Sequence, residues 1–107
     1  MRSTNDKLVT KTAYANPSTA TDTAVVAAIT GKAIRVHAVF TVAGGANSVY
    51  FKSGSTAISA TSALAANGGL VLPFSESGWF VTAAGAALNF TTSAAVATGV
   101  TVVYSEE

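Results

Sequence analysis

The chain has 107 residues, with six basic and five acidic side chains, a single histidine and no cysteine. This length holds one domain with one core, and the lack of cysteine excludes disulfides, thiolate chemistry and cysteine-ligated metal. Charged residues make up only 10 % of the chain. The basic ones are scattered from Arg2 to Lys52 rather than clustered in a stripe with stacking aromatics, so nucleic acid is not an expected partner.

The charge is also uneven. Up to Lys52, the basic residues Arg2, Lys7, Lys11, Lys32, Arg35 and Lys52 face only Asp6 and Asp22, a balance of +4, whereas the remainder carries only Glu76, Glu106 and Glu107. Apolar residues form 50 % of the chain, but alanine supplies a large share of them and buries little surface per side chain. A small domain with so thin a core has limited stability to spare, and association with copies of itself would supply further burial.

In chain order, residues 1–23 hold most of the early charge, many Ser and Thr, and Pro17, with no sustained hydrophobic period; they read as an extended arm. Arg2, Lys7 and Lys11 give this arm its positive charge, and Leu8, Val9 and Tyr14 are isolated apolar anchors. From residue 24 the pattern changes to short β-branched runs separated by Gly, Asn and Ser, and the spacing predicts about eight strands in a domain over 24–107. Residues 24–30 form an apolar run, and Gly31-Lys32 is a turn into the clearest strand, 33–42. There Ile34, Val36, Ala38, Phe40 and Val42 share one face, and Arg35, His37, Val39 and Thr41 the other.

Gly44-Gly45 turns into a strand at 48–52, and a short strand follows around Ile58. Residues 60–66 favour a helical turn by composition, too short to persist alone. Residues 70–73 and 79–82 are brief strands on either side of a loop at 74–78. The last strands are 86–91, with Leu88 and Phe90 together, and 96–104, with Val100, Val102 and Tyr104 together and Gly99 as a bulge or close-packing point. The predicted core contains Phe40, Phe51, Leu72, Phe90 and Val102. All-β organisation without a long repeat favours two antiparallel sheets in a jelly-roll-like sandwich; the alternative, an immunoglobulin-like sandwich, lacks its cysteine pair and strand tryptophan.

No catalytic constellation emerges. His37 is the single histidine and reads as a surface or interface residue. No Gly-x-Ser-x-Gly elbow occurs, and Glu76, far from any other acid in sequence, reads as a solvated loop residue and not as half of the carboxylate pair of glycoside hydrolysis. The glycine pairs lack the lysine and helix of a phosphate loop. No enzyme activity, cofactor or metal is expected, and the long uncharged stretch after Glu76 is too interrupted by Ser, Thr, Asn and Gly to span a membrane. Trp79, after the 74–78 loop, is a candidate interface aromatic. With the arm residues Arg2, Lys7, Leu8, Lys11 and Tyr14, it makes up the candidate partner interface.

The string LAANGGLVLPFSESGWFVTAAGAAL at 64–88 resembles a group of small tailed-bacteriophage virion proteins, capsid decoration (cement) proteins among them. The similarity extends from IRVHAVF and VYFKSGSTAIS to SAAVATGVTVVY, and leaves out the arm. The resemblance implies a structural virion protein: a β-sandwich, frequently a homotrimer, that binds the major capsid protein or another virion component and stabilises the phage head. It also implies synthesis in the bacterial host cytoplasm, for which the absence of a secretory apolar segment at the amino terminus is an independent argument, and a final place on the capsid surface. The alternative is a neck, tail or fibre component acting as a protein- or glycan-binding module.

Overall fold

A computed structural model describes residues 9–107. Among them the chain forms ten strands and no helix: β1 Lys11–Ala15, β2 Asp22–Val26, β3 Ile34–Ala43, β4 Asn47–Ser53, β5 Thr56–Ala57, β6 Ser62–Leu64, β7 Gly69–Leu72, β8 Phe80–Val81, β9 Leu88–Thr92 and β10 Thr98–Glu106. One sheet, sheet A, has the order β1-β10-β3-β7, with β8 also paired to β3; the other, sheet B, has the order β2-β9-β4-β5, with β6 also paired to β4. All pairings are antiparallel.

Because β5 and β6 lie end to end along β4, and β7 and β8 along β3, each pair acts as one interrupted strand. Counted so, the fold has the eight strands expected, and they follow the jelly-roll order in two facing sheets. The core between the sheets comes from alternate residues on both: Ile34, Val36, Val39, Val100 and Val102 from sheet A, and Val49, Phe51, Leu88 and Phe90 from sheet B, all buried. The Phe51 ring lies 5.1 Å from both Phe80 and Phe90. Phe51, Phe90, Val102 and, half-buried, Leu72 pack as expected.

Three sequence expectations are corrected. The segment 1–23 is not an arm throughout. Residues 11–15 pair with β10 along their whole length, from Lys11 opposite Tyr104 to Ala15 opposite Val100, and β2 begins at Asp22. The boundary at 23/24 therefore cuts through a strand. Ala13 and Ala15 pack on the core, but alanine carries too little hydrophobicity to show a period in a Ser/Thr-rich stretch. Arg2, Lys7 and Leu8 lie outside the described residues.

The second correction is a change of phase in β3. Val103 pairs with Ala38 but Tyr104 pairs with Val36, so His37 is an extra residue opposite a continuous β10. A bulge of this kind sets two successive residues on one side. Ile34 and Val36 therefore point into the core, and after the bulge so do Val39, Thr41 and Ala43, while Phe40 and Val42 are 56 % and 40 % exposed. Phe40 is not a core residue. His37, expected at the surface or in an interface, is fully buried within the chain itself. The third correction is small: residues 62–64 form a strand on β4 rather than a helical turn.

Candidate interaction surface

The inverted phase of β3 creates a row of side chains across the outside of sheet A. Tyr14 is opposite Thr101, Thr101 is opposite Phe40, and Phe40 is opposite Val71, so one line crosses all four strands. Each member points away from the core because its strand neighbours, such as Ala13 and Ala15, Val100 and Val102, Val39 and Thr41, point into it. Tyr14 is 73 % exposed and Val71 64 %. Val42 stands beside the row between Gly99 and Gly69, where neither neighbour has a side chain to cover it. On the other side Ala38 and Val103 are small or half-buried, and with Phe40, Val71, Leu72, Pro73 and Thr101 they line a shallow open groove of apolar atoms.

Residues 73–79 close one end of this face as a strap held at many points. The Ser75 N–H donates to the His37 carbonyl, and Trp79 N–H to the Val36 carbonyl. His37 Nδ1 lies 2.7 Å from the Ser75 carbonyl oxygen and Nε2 lies 2.8 Å from Ser105 Oγ. A carbonyl can only accept, so Nδ1 carries the proton, and in the neutral ring Ser105 donates to Nε2. Phe74 stacks on the imidazole with centroids 5.5 Å apart. The Trp79 indole donates to the Pro73 carbonyl, and Arg35 donates to the Ser77 carbonyl. Gly78 has φ near +85°, and a Cβ there would strike Arg35, so glycine is required. The loop that reads as a simple connection in sequence is thus a pinned strap, and Phe74, 57 % exposed, extends the apolar face onto it.

Ser105 and His37 have the spacing of a nucleophile and its base. They are nevertheless buried at 4 % and 0 % exposure, and the third partner is a peptide carbonyl rather than a carboxylate. This arrangement satisfies buried polar atoms under the strap; among the described residues every buried side-chain nitrogen or oxygen has a partner.

Two ion pairs sit at the Arg35 end of sheet A. Lys11 donates to Glu106 at 2.9 Å, and Arg35 forks onto both Glu107 carboxylate oxygens. The hydrogen bond from Arg35 holds the Glu107 carboxyl below its ordinary range, and the bond to Glu106 raises the Lys11 ammonium. Of the interface residues expected from sequence, Tyr14 lies on the apolar row and Trp79 at the base of the strap, 46 % exposed, while Lys11 is engaged at the charged end. Phe40, Val42, Val71 and Phe74 escape sequence reasoning. The adjacent Val102-Val103 pair and the polar His37 inside an apolar alternation are the signals of the shift.

Among the described residues no group of three or more His, Cys, Asp or Glu is placed to hold a metal ion, and no helix is long and apolar enough to cross a membrane. Fold and surface together define an all-β jelly-roll sandwich with one apolar outer face. No protein-family model and no curated protein matches the chain. Among solved structures it is similar to a chain from work describing Bacillus endospore appendages as a novel family of disulfide-linked pili. The match covers 98 % of this chain and 96 % of that one, with a TM-score of 0.50 and 16 % sequence identity. At that identity the likeness bears on the fold alone.

Proposed function

We propose that this chain is a non-catalytic structural subunit of a large protein assembly, and that the outer face of sheet A is one of its contact surfaces there. The observation that carries the reading is the row Tyr14, Thr101, Phe40 and Val71. The largest apolar patch on a protein surface is often a functional one, and such patches mark protein contact. The sequence resemblance to decoration proteins favours the head of a tailed bacteriophage as the assembly, with the chain bound to the capsid lattice.

A second reading, a subunit of a filamentous appendage, is favoured by the fold shared with a pilus protein. That neighbour is described as disulfide-linked, whereas this chain has no cysteine. Any filament it formed would therefore rest on non-covalent burial. Immunogold electron microscopy of phage particles and cells producing the chain tests the proposal. Gold spread over heads is the expected result; gold along filaments selects the second reading, and label on no assembly at all overturns both.

A further inference from the structure

We infer that the outer face of sheet A pairs with the same face of a second copy of this chain, giving a two-fold dimer as the building unit. The inference rests on the reading of that face as an assembly surface, and names its occupant.

The chemistry of the face selects a second copy. Thr12, Tyr14, Ala38, Phe40, Val42 and Val71 carry no formal charge at neutral pH, and the ion pairs Lys11–Glu106 and Arg35–Glu107 at its end are already closed. Charge gives an interface its selectivity for a foreign partner. A neutral apolar face has no such code, and like-charge repulsion, which keeps most surfaces from meeting their own copies, is missing. A second copy also brings a sheet of the same width and the same right-handed twist, so the two faces can stack about 10 Å apart in the aligned manner of sandwich sheets. The groove flanked by Phe40, Val71 and Val103 offers each copy a depression for a protruding ring of the other.

Area points the same way. At the exposures found for Tyr14, Phe40, Val42, Val71 and Phe74, with ~150–250 Å² for each aromatic side chain and less for each valine, the face presents roughly 500 Å² of apolar side chain. Two such faces bury about 1,000 Å², the lower bound of a specific interface. A two-fold axis buries the face completely in both copies, whereas a closed ring of three would set it against a different surface. The pair therefore replaces the trimer implied by the sequence resemblance.

Sedimentation equilibrium of the full chain, from about 1 to 200 μM around the micromolar affinities typical of small interfaces, tests the pairing. The expected result is a monomer–dimer equilibrium that Phe40→Ser and Val71→Asp each weaken at least about tenfold, and that Tyr50→Ser, on sheet B, leaves unchanged. Circular dichroism of each variant verifies that it is folded. Because Phe40 and Val71 both point outward, a folding failure in one leaves the other as the test. A wild-type monomer throughout, a trimer, or a dimer indifferent to both substitutions overturns the inference. So does a dimer lost on removing residues 2–8 but kept in the Phe40→Ser variant, which would make that segment the occupant. A monomer in solution combined with gold-labelled particles would refute the pairing and leave the structural role standing.

Discussion

The two outer faces of the sandwich are built on the same strand alternation and have opposite chemistry. On sheet B the outward residues are polar and tied to one another. Lys52 donates to Asp22 at 2.9 Å, Thr91 donates to the other Asp22 oxygen at 2.7 Å, Asn89 donates to the Gly54 carbonyl, and the Lys52 ammonium lies 5.7 Å from the Tyr50 ring centroid. On sheet A the corresponding positions are Tyr14, Thr101, Phe40 and Val71. Sheet B is finished as a wet surface, while sheet A still has apolar area to bury. The hydrophobicity of a strand face therefore does not say which way it points. The strongest apolar alternation in the chain, from Ile34 to Val42, is split by one inserted residue between the core and the surface.

The comparison is broken most severely by treating two phenylalanines alike. Phe90 is fully buried between the sheets and Phe40 is half in solvent. Phe90→Ala should cost about 3–5 kcal/mol of folding stability. Phe40→Ala, which removes a ring only about half withdrawn from water, should cost clearly less, about 1–2 kcal/mol, at concentrations where the chain is monomeric. Urea unfolding of both variants in dilute solution checks this, and equal losses would return Phe40 to the core.

A smaller effect is expected at His37. Its removal takes the partner of the Ser105 hydroxyl, leaves the Ser75 carbonyl with the Gly78 N–H alone and opens a small cavity, so His37→Ala should lose about 2–4 kcal/mol. Hydrogen exchange at Ser75 and Trp79, whose amides donate to β3, should speed up in the same variant. Amides of sheet B should lose no more protection than the global loss of stability accounts for.

The smallest effect belongs to the wet face. Hydrogen bonds from Lys52 and then Thr91 hold the Asp22 carboxyl below its ordinary value. A carboxylate whose folded pKa is depressed stabilises the fold at neutral pH, and that contribution disappears as pH falls below the ordinary carboxylate range near 4 through the folded value. The pair is exposed, so the loss is slight. Asp22→Asn should flatten part of the acid limb of thermal stability, the Arg35–Glu107 pair supplying another part through the same depression of its carboxyl. Self-association through sheet A, which has no carboxylate on its apolar row, should be unaffected by the substitution.

Much of the fold is legible in the sequence where β-branched residues alternate with polar ones: β3, β4, β7, β9 and β10 all lie close to their expected positions, and Val100, Val102 and Tyr104 share the buried face. Two kinds of information are not. β1 carries no strong apolar signal of its own, because Ala13 and Ala15 supply its inward face and its stability comes from the ladder to β10. The His37 bulge is a property of two strands in register, invisible in either alone. Since it decides which side Phe40 faces, the interaction surface was hidden while the strand that bears it was plain. Tyr14 reads in the sequence as an isolated apolar anchor, but on an arm instead of at the edge of a sheet.

The central claim, that the outer face of sheet A is a contact surface and sheet B is not, can be read from thiol labelling in a chain with no native cysteine. Thr101→Cys places one thiol in the middle of the apolar row, and Thr91→Cys places one on the polar face, each in a separate variant. As protein concentration rises through the association range, labelling in the Thr101→Cys variant should slow by the fraction of chains paired, while labelling in the Thr91→Cys variant should keep its rate. Concentration-independent labelling of the Thr101→Cys variant, or equal slowing in both, would contradict the account.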